Sequence, residues 1–395
     1  MSEFVGTNLR LIRLFHDLSL TELGEQVGVS KQFLSRVETG AEVVSTQLEA
    51  ALADALSVLP DFFYRIDPNP IVDEQCHFRR QLTTKVALRQ VARARGEILK
   101  RLVGVLDEHV ELPRYRVGEA DPETPEMIEH AAERFRSLFG LGLGPLSNVT
   151  RIAENAGAVV LKVHGLAPEI DAVSFATKRP MIALNGDGRS ACRERFGIAH
   201  ELGHFSLHIG VLTGDRLTET QANRFASALL LPRSTFATEC RIALRGTRLN
   251  WTGLSELKLR WGVSKAAIIF RGRQLGVFSD DQARAGYVGL NRHGEALKES
   301  EDHFMANEEP EVIVESLKVM REHFGVPQAA VAREMRVQPR LLHALLEPPQ
   351  SRATGNVVKW IRSAIPKVER PPEATDLAER TAGAAVLSWP KARPR

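Results

Sequence analysis

Arg195-Phe-Gly-Ile-Ala-His200-Glu201-Leu-Gly-His204-Phe-Ser-Leu-His208 is the stretch on which the reading of this chain turns. His200 and His204 are four residues apart, so on a helix their rings stack on one face and converge on a single ion. Glu201 lies about 100° round the same helix, within reach of a water held by that ion. The flanking Phe196, Ile198, Phe205 and Leu207 would equally suit two core histidines, so a further ligand has to decide the matter.

That ligand is expected downstream. Thr218-Glu219-Thr-Gln-Ala-Asn223-Arg-Phe-Ala-Ser-Ala-Leu-Leu-Leu-Pro232 reads as a second helix, with Ala222, Phe225, Ala226, Leu229 and Leu230 on its apolar face. Glu219 at its start completes a two-histidine, one-carboxylate set and leaves a fourth position for water. Asn223, one turn on, is placed to hold a ligating imidazole by its other nitrogen. H-E-x-x-H with a carboxylate from the next helix is the arrangement zinc peptidases use. The ion lowers the pKa of its water and polarises a carbonyl, and Glu201 moves the proton as general base. His208 is a weak candidate for oxyanion stabilisation and fits better as helix-end packing. His16, His77, His109, His130 and His164 are read as surface or structural residues.

Outward from this core, Ala158–His164 and Met181–Asn185 read as strands, with 172–176 as a third. Met181–Asn185 is expected to align an extended peptide by edge pairing. Helices are expected over 125–139, 147–155, 189–231, 253–276 and 313–346. The last of these looks like a small helix-turn-helix module.

The first 65 residues read as five short helices. Ser19-Leu20-Thr21-Glu22 is a capping box, Gly28 stops the helix it opens, and Ser30 caps the next. Two helices joined by a short glycine-containing turn are the signature of a DNA-reading unit. The second would enter the major groove with Lys31, Gln32, Phe33, Ser35 and Arg36 outward. Ser19 and Ser30 are candidates for phosphate contact. Charge argues against long-range attraction: residues 1–70 carry 5 basic against 10 acidic residues, whereas 71–116 carry 10 against 6. A basic amphipathic helix is expected over 80–110, whose Arg79, Arg80, Arg89, Arg93, Arg95, Lys100 and Arg101 either supply phosphate contacts or form a solvated charged face.

The bulk numbers bound the rest. The chain has 395 residues, enough for two or three domains, with 43% hydrophobic and 26% charged residues. Nothing resembles a signal peptide or a membrane span, so a cytoplasmic protein with no membrane partner is expected. Cys76, Cys192 and Cys240 have neither disulfide nor metal spacing.

The segment 189–232, with RERFGIAHELGHFSLH and ETQANRFASALLLP, followed by LKLRWGVSKAAIIFRGRQLG at 257–276, closely resembles the ImmA/IrrE family of bacterial metallopeptidases. Residues 8–58, through LSLTELGEQVGVSKQFLSRVETG, resemble XRE-type helix-turn-helix domains. The resemblance implies a mostly α fold with a small β-sheet. It divides into an XRE-type domain (1–67), a basic helical linker (68–120), a zincin-like α+β peptidase domain (121–280), a helical C-terminal module (281–348) and a disordered tail (349–395). It implies His200, His204 and Glu219 as ligands of Zn2+, with Mn2+ as the alternative, and Glu201 as base. The implied partners are a double-stranded DNA operator and a repressor or antitoxin that is cut to relieve repression. A homodimer is expected because such readers bind two-fold half-sites. The alternative is a transcription factor or antitoxin whose peptidase fold senses or binds without cutting. The sequence departs from the XRE pattern at Glu42, where a basic residue is usual after the recognition helix.

Overall fold

The computed structural model describes residues 3–78, 86–164, 166 and 171–346, with the backbone of 385–386. Four helices open the chain: α1 (Gly6–Phe15), α2 (Leu20–Val27), α3 (Lys31–Glu38) and α4 (Thr46–Ala55). The expected fifth is a 3-10 turn, Pro60–Tyr64, whose five residues are too few to propagate an α-helix. The capping box forms as read. Ser19 Oγ accepts from the Glu22 amide, Glu22 accepts from the Ser19 amide, and Gly28 closes α2 at φ 74°. Ser30 Oγ caps α3 by accepting from the Phe33 amide. A buried pair, Arg13 and Glu38, ties α1 to α3.

The next segment departs from expectation. Residues 76–78 form a strand, β1 (Cys76–Phe78), and the basic stretch forms a 24-residue helix, α5 (Val86–His109), followed by β2 (Val110–Glu111). α5 is neither a linker nor a solvated face. Ile98, Leu99, Leu102 and Leu106 are fully or almost fully buried, as are Arg95 and Arg101 to more than nine-tenths. Arg101 lies 4.2 Å from the Phe62 ring centroid, spending its charge on an aromatic face rather than on solvent. Arg79 and Arg80 lie outside the described residues.

The middle of the chain is α+β. It runs α6 (Pro125–Leu138), α7 (Val149–Asn155), β3 (Val159–Val163), β4 (Ala172–Phe175), β5 (Met181–Asn185), α8 (Ala191–Leu207), α9 (Arg216–Leu230) and α10 (Arg233–Glu239). A two-residue hairpin, β6 (Leu244–Arg245) and β7 (Arg248–Leu249), precedes α11 (Trp251–Trp261), α12 (Lys265–Gln274) and α13 (Asp280–Arg292). The main sheet has the order β1-β4-β5-β3, with β3 parallel to β5 and the other pairs antiparallel. β5 is therefore an interior strand and cannot pair with a peptide at its edge. All five of its residues are buried, as a strand covered on both faces requires.

Alternation along the strands separates two cores. Leu161, Val173, Phe175 and Ala183 face α5 and the N-terminal helices. Val160, Ile182 and Leu184 face α8, α9 and the rest of the middle region. Gly96 on α5 makes the first contact feasible, because a Cβ there would lie 2.5 Å from the Phe175 ring. On the other side Arg271 of α12 grips Glu129 of α6 with two bonds, 2.6 and 2.7 Å, in a buried setting.

α14 (Val312–Phe324), α15 (Gln328–Glu334) and α16 (Pro339–Leu346) follow. They join the first core rather than standing apart: Met320, Val331, Met335 and Leu341 are buried with Leu56, Val58 and Leu106. The Leu59 amide donates to Arg336 O at 3.0 Å, and the Gln338 amide to Ser57 O at 2.9 Å. The tail 349–395 lies outside the described residues apart from β8 (Ala385–Val386), whose backbone pairs in parallel with β2. No described helix is long and apolar enough to cross a membrane.

Glu154, fully buried at the end of α7, accepts the amides of Glu311 (3.1 Å) and Val312 (3.0 Å) at the start of α14. Burial raises its carboxyl to about 7 despite those two bonds, from 4.5 in an unperturbed chain. The native protein thus keeps a proton that the unfolded chain releases from pH 4.5 upward. The stabilisation is complete below that value and fades as pH rises through about 7, a loss of about 3 kcal/mol. Urea unfolding at pH 5 and pH 8 should show that loss, and Glu154→Gln should flatten it. An unchanged pH slope in the variant would contradict the assignment.

Candidate metal centre

α8 and α9 build the site. Asp215 caps α9 by accepting from the Leu217 and Thr218 amides, which fixes where the helix starts and so the direction of Glu219 in its first turn. Gly203 lets the helices approach closely, since a Cβ on it would already lie 3.2 Å from Ala222 Cα and O. Phe225, Ala226 and Leu229 then seal α9 onto the core.

His200, His204 and Glu219 meet there, with one donor atom from each lying within 4.8 Å of the others. The two Nε2 atoms are 3.0 Å apart, His204 Nε2 is 3.4 Å from Glu219 Oε1, and His200 Nε2 is 3.6 Å from Glu219 Oε2. Ligands around a tetrahedral Zn2+ at 2.0–2.1 Å are separated by roughly 3.3 Å, so the triangle fits that ion. His200 and His204 are buried, while Glu219 is half-buried.

The surrounding hydrogen bonds decide which ring nitrogens carry protons. Gln221 donates its amide nitrogen to Pro122 O at 2.9 Å, which leaves Gln221 Oε1 as an acceptor for His208 Nε2–H at 2.9 Å. Burial lowers the pKa of His208, so it is neutral and its Nδ1 accepts. The partner at 3.0 Å is His204 Nδ1, which must donate. His204 is fully buried and also held neutral by that burial, which puts its lone pair on Nε2. His200 Nδ1 lies 3.0 Å from Asn223 Oδ1 and donates to it, which turns Nε2 toward His204. The two Nε2 atoms face each other at 3.0 Å with Glu219 beside them. Two imidazole nitrogens and a carboxylate at this spacing are a donor set that suits a divalent ion.

Glu201 is buried beside the rings, and Ser174 Oγ of β4 donates to its Oε2. Ser174, Gln221 and His77 were missing from the sequence reading as site residues. His77 lies on β1, is fully buried, and its ring stacks on His204 at 4.9 Å between centroids and 6° between planes. His208 proves to be the partner of His204 rather than a helix-end filler. Its position one turn beyond His204 was the available signal.

At the other end, Lys31, Gln32, Ser35 and Arg36 lie exposed on α3, and Phe33 is half-buried against the domain core. Glu42 binds Arg36 Nε at 3.1 Å.

Residues 153–272 match the family model described as the IrrE N-terminal-like domain, and residues 5–61 match a helix-turn-helix domain. The two matches on one chain support a fusion of these two kinds of domain. No curated protein matches the chain significantly. The helix-turn-helix domain implies DNA binding, and the IrrE-like domain implies a metallopeptidase-like module acting on protein. Together they fit a regulator. The IrrE-like match begins after β1, so His77 reaches the rings from outside it.

His208→Ala and Asn223→Ala each remove the proton acceptor of one ring. Each should weaken zinc binding about 10- to 100-fold in competition with a chromophoric chelator. Unchanged affinity in both would refute the assigned ring orientations.

Proposed function

We propose that the chain is a DNA-binding transcriptional regulator whose IrrE-like domain is a zinc-dependent endopeptidase that cuts a repressor or antitoxin. The observation that carries this is the pair of Nε2 atoms facing each other at 3.0 Å beside Glu219. His200, His204 and Glu219 would hold the ion, with Mn2+ the alternative to Zn2+. A bound divalent ion supplies Lewis acidity to a peptide carbonyl and to water. Glu201, with one oxygen fixed by Ser174, takes a proton from the attacking water and returns it to the leaving amine. Asn223 and His208 keep the two rings in the ligating tautomer.

DNA would meet α3 in the major groove. Lys31 and Arg36 suit guanine or phosphate, Gln32 suits adenine, Phe33 suits a thymine methyl and Ser35 suits the backbone. A homodimer on two half-sites is the assembly expected of such a reader.

Elemental analysis of the purified chain should find about one zinc per molecule, lost in His204→Ala. Glu201→Gln should keep the metal and slow cleavage of the repressor or antitoxin substrate by at least about 100-fold. Cleavage that survives Glu201→Gln would rule out the mechanism. Derepression that survives it would favour the sensor reading. Separately, Glu42→Gln releases Arg36 and should tighten binding to a nonspecific duplex by about two- to five-fold at low salt, as fluorescence anisotropy would show. Weaker binding would argue against α3 as the contacting helix.

A further inference from the structure

We infer that the outer edge of β4 is the docking edge for an extended peptide segment, and that this chain's own residues 76–78 occupy it. The inference rests on the peptidase reading and adds to it the path of the substrate backbone and a resident competitor.

β1 runs antiparallel to β4, with Cys76 opposite Phe175, His77 opposite Ser174 and Phe78 opposite Val173. Opposed residues on adjacent strands present their side chains on the same face. The face that carries Ser174 is the one packed on α8, where Ser174 bonds Glu201. His77 therefore enters the site directly over the ring of His204 and is anchored by Thr213 Oγ1, 2.8 Å from its Nδ1. The opposite edge of the sheet is β3, with β5 between it and β4. Of the two edges, the one beside Glu201 and the imidazoles is thus the one β1 holds. Adding a strand to an open edge is how extended peptides are commonly gripped, with main-chain bonds for affinity and side chains alternating into pockets. β1 makes these contacts already and places a side chain where a substrate residue beside the scissile bond would stand.

Its hold is weak. The strand is three residues long, and His77 Nε2 is buried with no hydrogen-bond partner among the described residues. An unmatched buried nitrogen is a standing cost that a better-fitting occupant relieves. A peptide that brings its own backbone donors and acceptors can replace β1 without unfolding β4.

The test uses fluorescein-labelled β-casein, a disordered protein, and the zinc-loaded full chain carrying Glu201→Gln so that binding is read without cleavage. Adding His77→Gly should tighten casein binding by about five-fold, the scale of one cross-strand pair, with zinc content unchanged. Thr213→Val, which loosens the anchor but leaves the strand, should act in the same direction and carries the test if His77→Gly fails to fold. Equal or weaker binding in folded, zinc-loaded variants would overturn the inference. So would loss of zinc, which would make His77 a support for His204. Tighter casein binding without any Glu201-dependent cleavage by the otherwise wild-type chain would keep the docking edge and remove the peptidase reading. Glu201-dependent cleavage with binding unmoved by either substitution would do the reverse.

Discussion

The arrangement of the middle of the molecule follows from one electrostatic constraint. Two imidazoles from one helix face each other, Nε2 to Nε2, at 3.0 Å in a buried space. A contact of that kind has to be held by the groups around it. Here α8 supplies both rings, and the bonds at their far nitrogens, through Asn223 on one side and His208 and Gln221 on the other, fix how each ring is turned. α9 closes against α8 at Gly203 and brings a carboxylate to the third corner. The sheet, the caps and the buried Arg271–Glu129 grip serve to keep these two helices from turning.

Much of this could be read from sequence, because it is local. The spacing of His200 and His204 is a property of one helix, and Glu219 stands at the start of the next, with a capping aspartate before it. The helix-turn-helix could be read for the same reason: Ser19, Glu22, Gly28 and Ser30 act on their own neighbours. What escaped arrives through pairing between distant segments. Ser174 and His77 reach the site by strand register, and a three-residue strand carries no periodicity to detect. Gln221 is selected by how α9 is rotated against α8.

Two errors have instructive causes. Met181–Asn185 looked available for edge pairing, yet its uninterrupted apolar run is the mark of a strand covered on both sides, and it sits between β4 and β3. The basic stretch after residue 80 looked free to meet phosphate or solvent because arginines were counted as charges rather than as long apolar stems. In the fold, Arg101 lies on Phe62, and the aliphatic residues between the arginines form the centre of the first core.

That central helix has an architectural consequence. One side of α5 completes the core of the DNA-reading domain, another backs the sheet that carries Ser174, and the C-terminal helices close over it. The two ends of the chain are therefore not beads on a string. Cutting the chain between the helix-turn-helix and IrrE-like segments would strand a wet apolar wall on whichever fragment kept the helix, and leave its complement without a floor. Selection acting on either half has to negotiate with the other through that shared surface.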